Sequence, residues 1–296
     1  MKKFKKLITI VMAAVLVLAL SSCDLIQDAP LTVALGGVEA KDIRIGILYS
    51  SDYEREGTEA NIQHRAIDTM WGTYGIAGTI PKNKLPIDNE QKIKDSIISC
   101  VKESGCNVVL STDPAFTEIV YGFASGSYKD VDNIESYKDI IFVCLDGTKK
   151  YENLDNFHCF YPDYDEAYAL AGVAAATKLG KANIALTEEN EEYNNAFKLG
   201  VNAVASGAKV ISGEDIATYG TVVTNWHIYY ITLIENITLG KFSEMGNYYA
   251  GVETGFCDFI PAEDYATDEV DANITKAKLN LTENTWDLEK AETIKF

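Results

Sequence analysis

The chain reads as an α/β protein with a parallel sheet covered by helices on both faces, and three observations predict it. From residue 43 onward, short β-branched runs alternate with longer stretches of helical apolar spacing, the order that parallel strands joined by crossover helices require. The strand-like runs are apolar at consecutive positions, as strands buried on both faces are. The 296 residues, 47% of them hydrophobic, suffice for one large core or two small ones.

The chain opens on Lys2, Lys3, Lys5 and Lys6, followed by an apolar run from Leu7 to Leu20. That run falls short of the about 20 residues that span a bilayer core, and it ends in small residues, so residues 1–22 read as an export signal. Leu20-Ser21-Ser22-Cys23 resembles a bacterial lipobox, in which Cys23 would carry the lipid and become the new N-terminus. The expectation is a lipid-anchored protein on the extracytoplasmic face of the cell membrane. Residues 23–41, with Pro30, Gly36 and Gly37, read as a tether.

Strands are expected at 43–49 (IRIGILY), 107–112 (NVVLST), 140–146 (IIFVCLD), 182–187 (ANIALT) and 208–212 (AKVIS). Helices are expected near 58–72, 90–103, 114–124, 164–179 and 190–206. The segment 77–90 holds two prolines and reads as a loop or weak strand, with Asp88 or Asn89 capping the helix after it. Within 164–179, Ala167, Leu170, Ala171 and Ala174 form a small-residue stripe that would let the helix approach its sheet. Residues 226–239 show the cleanest amphipathic face, from Trp226 through Tyr229, Tyr230, Leu233 and Ile234 to Ile237, closed by Gly240. The run 246–260 reads as a strand with a turn. One more helix is expected near 284–293.

Beyond residue 22 the chain keeps 44 acidic residues and 22 of its 26 basic ones, a formal charge of −22. Phosphate backbones need clustered Lys and Arg, so nucleic acid is excluded as a partner. Cys100, Cys106, Cys144, Cys159 and Cys257 are odd in number and contain no C-x-x-C pair, which argues against a disulfide framework. His64, His158 and His227 are isolated, so no zinc site and no cofactor is expected. Nucleophile elbows, zinc-protease helices, phosphate loops and dinucleotide fingerprints are all absent from the sequence, and no enzymatic activity is expected.

In open α/β sheets ligands sit beyond the carboxyl ends of the strands. The residues there are polar: Ser50, Ser51 and Asp52; Ser111, Thr112, Asp113 and then Phe116; Asp146 and Gly147. They offer hydroxyls and carboxylates to a neutral polyhydroxylated solute, with Phe116 or a tyrosine to stack on a ring. Each has a plainer reading: Thr112 or Asp113 as an N-cap before Pro114, and Asp146-Gly147 as a turn.

The order of several segments is similar to that of one family: the lipobox, IRIGILY, KESGCNVVLSTDPAFTE, IIFVCLDG, EAYALAGVAAATKLGKANIAL with NNAFKLGVNAVASGAKV, and TNWHIYYITLIENITLGKF with GNYYAGVETGF. Together they resemble the basic-membrane-protein family of bacterial lipoproteins, substrate-binding subunits of ABC importers that include purine nucleoside receptors. The resemblance implies a type I periplasmic-binding-protein fold, two α/β lobes with the ligand between them. The first lobe would span 42–161 with a return over 221–256, the second 162–220, and 257–296 would form a C-terminal segment. Two departures stand out: only residues 213–220 occupy the place of further βα units, so the second lobe is abbreviated, and Thr58 or Glu59 stands where a stacking aromatic is expected. Carried over by position, the pocket would be lined by Asp52, Ser111, Thr112, Asp113, Phe116 and Asp146, with Asn225 and Trp226 at the crossover. The implied protein is a monomer that hands a small polar solute, a nucleoside being one candidate, to an ABC permease. The alternative is a non-transporting surface sensor or interaction lipoprotein of the same fold.

Overall fold

The computed structural model describes residues 34–145, 151–152, 154–180, 183–283 and 285–288. The export signal, Cys23, most of the tether and Asp146 lie outside the described residues.

Six strands form one parallel sheet in the order β2-β1-β3-β4-β5-β9: β1 (Arg44–Leu48), β2 (Gly78–Lys82), β3 (Val108–Ser111), β4 (Ile141–Leu145), β5 (Phe157–Pro162) and β9 (Tyr248–Ala250). The proline-bearing segment is therefore a strand, and its place at the sheet edge is what tolerates Pro81. Helices α1 (Glu59–Tyr74) and α6 (Trp226–Thr238) cover one face, packing on Ile45, Ile47, Val108 and Leu110. Helices α2 (Glu90–Ile98) and α3 (Thr117–Ala124) cover the other, packing on Leu48, Val109 and Phe142. That alternation explains the continuous apolar runs: both faces of each inner strand are dry. Asn89 is the cap of α2, accepting from Lys92 N at 3.0 Å. The helix expected to reach residue 103 keeps α-geometry only to Ile98 and finishes as a π-turn over Ser99–Glu103.

A second core is built by α4 (Tyr164–Leu179), β6 (Ile184–Ala185), α5 (Glu191–Val204), β7 (Val210–Ile211), β8 (Gly220–Thr224), β10 (Cys257–Pro261) and α7 (Asp268–Thr282). Its strands form two separate pairs, β6 with β7 parallel and β8 with β10 antiparallel. Strand β8 pairs with β10, its Val222 packed against both cores, and residues of the C-terminal segment are buried in the second: Phe259, Val270, Ile274, Ala277 and Leu281 lie with Ala169, Val173 and Phe197. The last helix falls at Asp268–Thr282, capped by Thr267, while residues 285–288 are not helical and most of 284–293 lies outside the described residues.

The small-residue stripe of α4 acts mainly on its helical neighbour. A Cβ at Gly172 would fall on the Phe197 carbonyl, and one at Gly200 would fall on the Ala169 carbonyl, so α4 and α5 touch backbone to backbone. Cys100, Cys106, Cys144, Cys159 and Cys257 are buried in the interior and form no disulfide. Among the described residues no helix is long and apolar enough to cross a membrane, and no cluster of metal-ligating side chains occurs.

Candidate functional site

The chain passes between the two cores at three adjacent points: after β5, after β8, and between β9 and β10. These segments are bonded side by side. Asp163 N donates to Ala250 O at 2.9 Å, Asn225 N to Phe256 O at 2.6 Å, and the Cys257 thiol to Asp163 O at 3.3 Å. Narrow, parallel crossovers of this kind are where two packed bodies hinge.

Four predicted residues come together beyond β1 and β3. Ser50 Oγ donates to Asp113 Oδ2; Asp113 Oδ1 also accepts from Ala115 N at 2.8 Å. Ser111 Oγ donates to Asp113 O at 3.2 Å, and Thr112 Oγ1 to Leu48 O at 3.1 Å. The capping reading of Asp113 is thus correct, while Ser50, Thr112 and Asp113 remain partly open to solvent at the sheet's carboxyl edge. Ser111 is fully buried and Phe116 is packed in the core beneath with Ile93, Val120 and Phe123, so Phe116 presents no ring to a solute. The expectation that it stacks on a ligand is corrected: Phe116 closes the short 3-10 turn Pro114–Phe116 and its ring is buried in the core.

Asp52 stands apart from this group. Its carboxylate receives Lys84 Nζ at 2.8 Å and Asn83 Nδ2 at 3.0 Å, and these partners, Lys84 first, lower its pKa to about 2. A carboxylate so occupied ties the loop after β1 to the end of β2.

At the crossover, Asn225 is exposed and Trp226 is almost wholly buried against Phe160, Tyr230 and Phe256. Trp226 therefore acts through its nitrogen: Nε1 donates to Glu59 Oε1 at 2.6 Å. Glu59 opens α1 at the sheet's carboxyl edge and touches solvent, yet desolvation by the surrounding protein raises its pKa, against the lowering effect of bonds from Trp226 and Gln63. Near Glu59 on α4 is Tyr164, which packs against the first core and whose ring is 6.3 Å from that of Tyr193 at 87°; Tyr193 in turn stacks on Tyr168 at 4.7 Å. Burial and the nearby Glu59 push the Tyr164 hydroxyl strongly up, so the ring stays neutral.

Sequence reasoning missed Tyr164, Tyr193 and the anchoring role of Glu59. The usable signal was positional, since Tyr164 follows directly on a strand end and Glu59 begins a helix at another.

Glu166 fixes the crossovers. Its Oε2 accepts from Val252 N at 2.5 Å, tying the first crossover to the third, and burial raises its pKa to about 6. A carboxyl whose folded pKa exceeds its unfolded value contributes stability that is complete below pH 4.5 and lost as pH rises through 6. Relative to Glu166→Gln, the native chain should gain about 2 kcal/mol between pH 7.5 and pH 4.5. Denaturant melts of both proteins at the two pH values check this.

A depression of about 840 Å³ lies on α4 and α5, lined by Asp165, Glu191, Asn195, Lys198, Leu199 and Leu288. It shares no residue with the strand-end set.

No protein-family model matches the chain, and no curated protein matches it in sequence. Solved structures do match. A transcriptional activator of the comK gene from Bacillus halodurans superposes with a TM-score of 0.59 at 16% identity, over 82% of this chain and 99% of that one. An ABC-transporter solute-binding protein from Conexibacter woesei gives 0.58 at 12% identity, covering 83% and 98%, and one from Aeropyrum pernix K1 gives 0.57 at 8%, covering 82% and 92%. The fold is that of the type I periplasmic binding proteins. At these identities the likeness concerns the fold alone.

Proposed function

We propose that the protein is a solute receptor: it holds a small polar molecule between its two cores and, anchored by lipid at Cys23 on the outer face of the membrane, passes it to an ABC permease. The single observation that carries the reading is the convergence at the junction. Ser50, Thr112 and Asp113 stand at the carboxyl edge of one sheet, Glu59 opens α1 after the loop that follows β1, and Tyr164, near Glu59, opens α4 where the chain enters the second core and meets Tyr193 edge to face. Oriented acceptors on one wall and aromatic rings on the other are the composition of a small-molecule cleft. The three bonded crossovers supply a hinge by which the walls close and exclude water. The matching solute-binding structures support the reading through the shared fold. Nucleosides are the first class to try, because the basic-membrane-protein resemblance implies them. No bond is made or broken in this account.

A thermal-shift panel of nucleosides, sugars, amino acids and organic cations, run on the full chain in mild detergent, tests it. A ligand at 100 times its Kd stabilises the folded state by about 2.7 kcal/mol, which should raise the melting temperature by about 5–10 °C. A cooperative melt that no class displaces would refute the receptor reading.

A further inference from the structure

We infer that Cys100 and Cys106 are an oxidisable pair, closing under oxidising conditions into a disulfide that clamps the turn before β3 against β1. The inference involves no solute and is independent of the receptor reading.

The two cysteines flank a turn that brings them together. Helix α2 ends as a π-turn over Ser99–Glu103, and Gly105, in the left-handed region at φ 66°, reverses the chain so that Cys106 N donates to Cys100 O at 2.9 Å. The turn is held on both flanks: Lys82 Nζ donates to Ser99 Oγ at 3.0 Å, and Arg44 Nη1 to Ser104 O at 3.0 Å. Both cysteine side chains are wholly buried, and both reach the same place on β1. A Cβ at Gly46 would lie 2.7 Å from Cys100 Sγ and 3.5 Å from Cys106 Sγ, so the sulfurs are neighbours over that glycine. Glycine weakens a strand interior, and it marks places where something must come close to the backbone. Here the sulfur pair is what comes close.

The chemistry follows from the same neighbours. Lys82 and Arg44 place positive charge beside the thiols, and a bond from the Cys106 thiol lowers the pKa of Cys100, making Cys100 the better nucleophile of the two. Its thiolate attacks a small-molecule disulfide such as oxidised glutathione, forming a mixed disulfide and releasing one thiol. The Cys106 sulfur then attacks that of Cys100 and displaces the second. Two protein thiols are oxidised, one small disulfide is reduced, and both protons leave on the released thiols. The extracytoplasmic setting proposed above supplies oxidants of this class. Cys144 and Cys159 are also adjacent, as register partners on β4 and β5, but neighbouring strands hold such residues about 4.8 Å apart, beyond the roughly 3.5–4.5 Å that the Cβ atoms of a disulfide span.

Peptide mapping tests the pair cleanly, because trypsin cuts between the two cysteines after Lys102. The reduced full chain is incubated with oxidised glutathione, both folded and during refolding from urea, then alkylated and digested without reductant. The expected result is a covalent link between peptides 95–102 and 103–129, broken by dithiothreitol, and a melting temperature about 4–8 °C above that of the reduced chain. Cys106→Ala should abolish both the link and the shift, while Cys144→Ala should keep both. Unlinked peptides under both treatments, or a link between the Cys144 and Cys159 peptides in their place, would overturn the inference. A linked chain that melts no higher than the reduced one would overturn the clamp.

Discussion

Gly200→Ala is expected to lower the melting temperature by about 6–12 °C, corresponding to about 3 kcal/mol. In an exposed helix interior the same change stabilises by up to about 1 kcal/mol, because alanine is the better helix former. The sign reverses here for a steric reason. The new methyl would fall on the Ala169 carbonyl, with Val173 N 3.0 Å away, and only backbone stands in its path. A helix backbone cannot turn aside as a side chain does, so α4 and α5 must separate and the Ala-rich contact between them must open. Gly172→Ala meets the same obstacle from the other helix, at the Phe197 carbonyl, and should behave alike. Gly72→Ala is the control: this helical glycine of α1 has nothing within 4 Å of the added carbon, so the variant should melt at or slightly above the native temperature. Calorimetric melts of the three variants separate propensity from close packing.

A second large effect is the loss of stability on mild acidification through His158. The ring is 1% exposed, stacked on Tyr229 and flanked by Phe242 and Tyr248, and its Nδ1–H donates to the Gly246 carbonyl. Nε2 has no partner, so a proton placed there would be buried without an acceptor. Burial accordingly lowers the pKa to about 4 from the usual 6.5. Above pH 6.5 the ring is neutral in both folded and unfolded chains. As pH falls toward 4 the unfolded chain takes up the proton first, and about 3 kcal/mol of stability is lost across that window. His158→Asn keeps a donor for Gly246 without a titrating ring; it should be less stable at pH 7 because of lost volume, but its stability should fall by about 3 kcal/mol less than the native protein's between pH 7 and pH 4. Urea melts at both values measure the difference. This trend opposes that of Glu166, so the two variants should shift the pH profile in opposite directions.

The first sheet was largely legible because its strands are buried on both faces and leave continuous runs such as IRIGIL and IIFVCL. Strand β5 was not: FHCFYP has no β-branched residue, and its strand character comes from pairing with β4 and β9 in the folded protein. The second core was harder because β6 and β7 are two residues each, too short to carry a period, and because β8 finds its partner β10 across 32 intervening residues. The place of Ser50, Thr112 and Asp113 at the sheet's carboxyl edge was legible, since topology alone puts residues that follow a strand there. Residue type misled at Phe116 and Trp226, where aromatic character signalled a ligand face and burial made it core. Glu59 and Tyr164 were illegible as a pair, because they are far apart in sequence and only the folded chain brings them near one another.

The central claim is that one solute is enclosed by both cores, and amide hydrogen exchange on the full chain, with and without the solute that most raises the melting temperature, tests it most directly. The account predicts slowed exchange in two places at once: residues 50–59 with 111–113 on the first core, and residues 163–168 with 190–193 on the second. Protection confined to one core would contradict it.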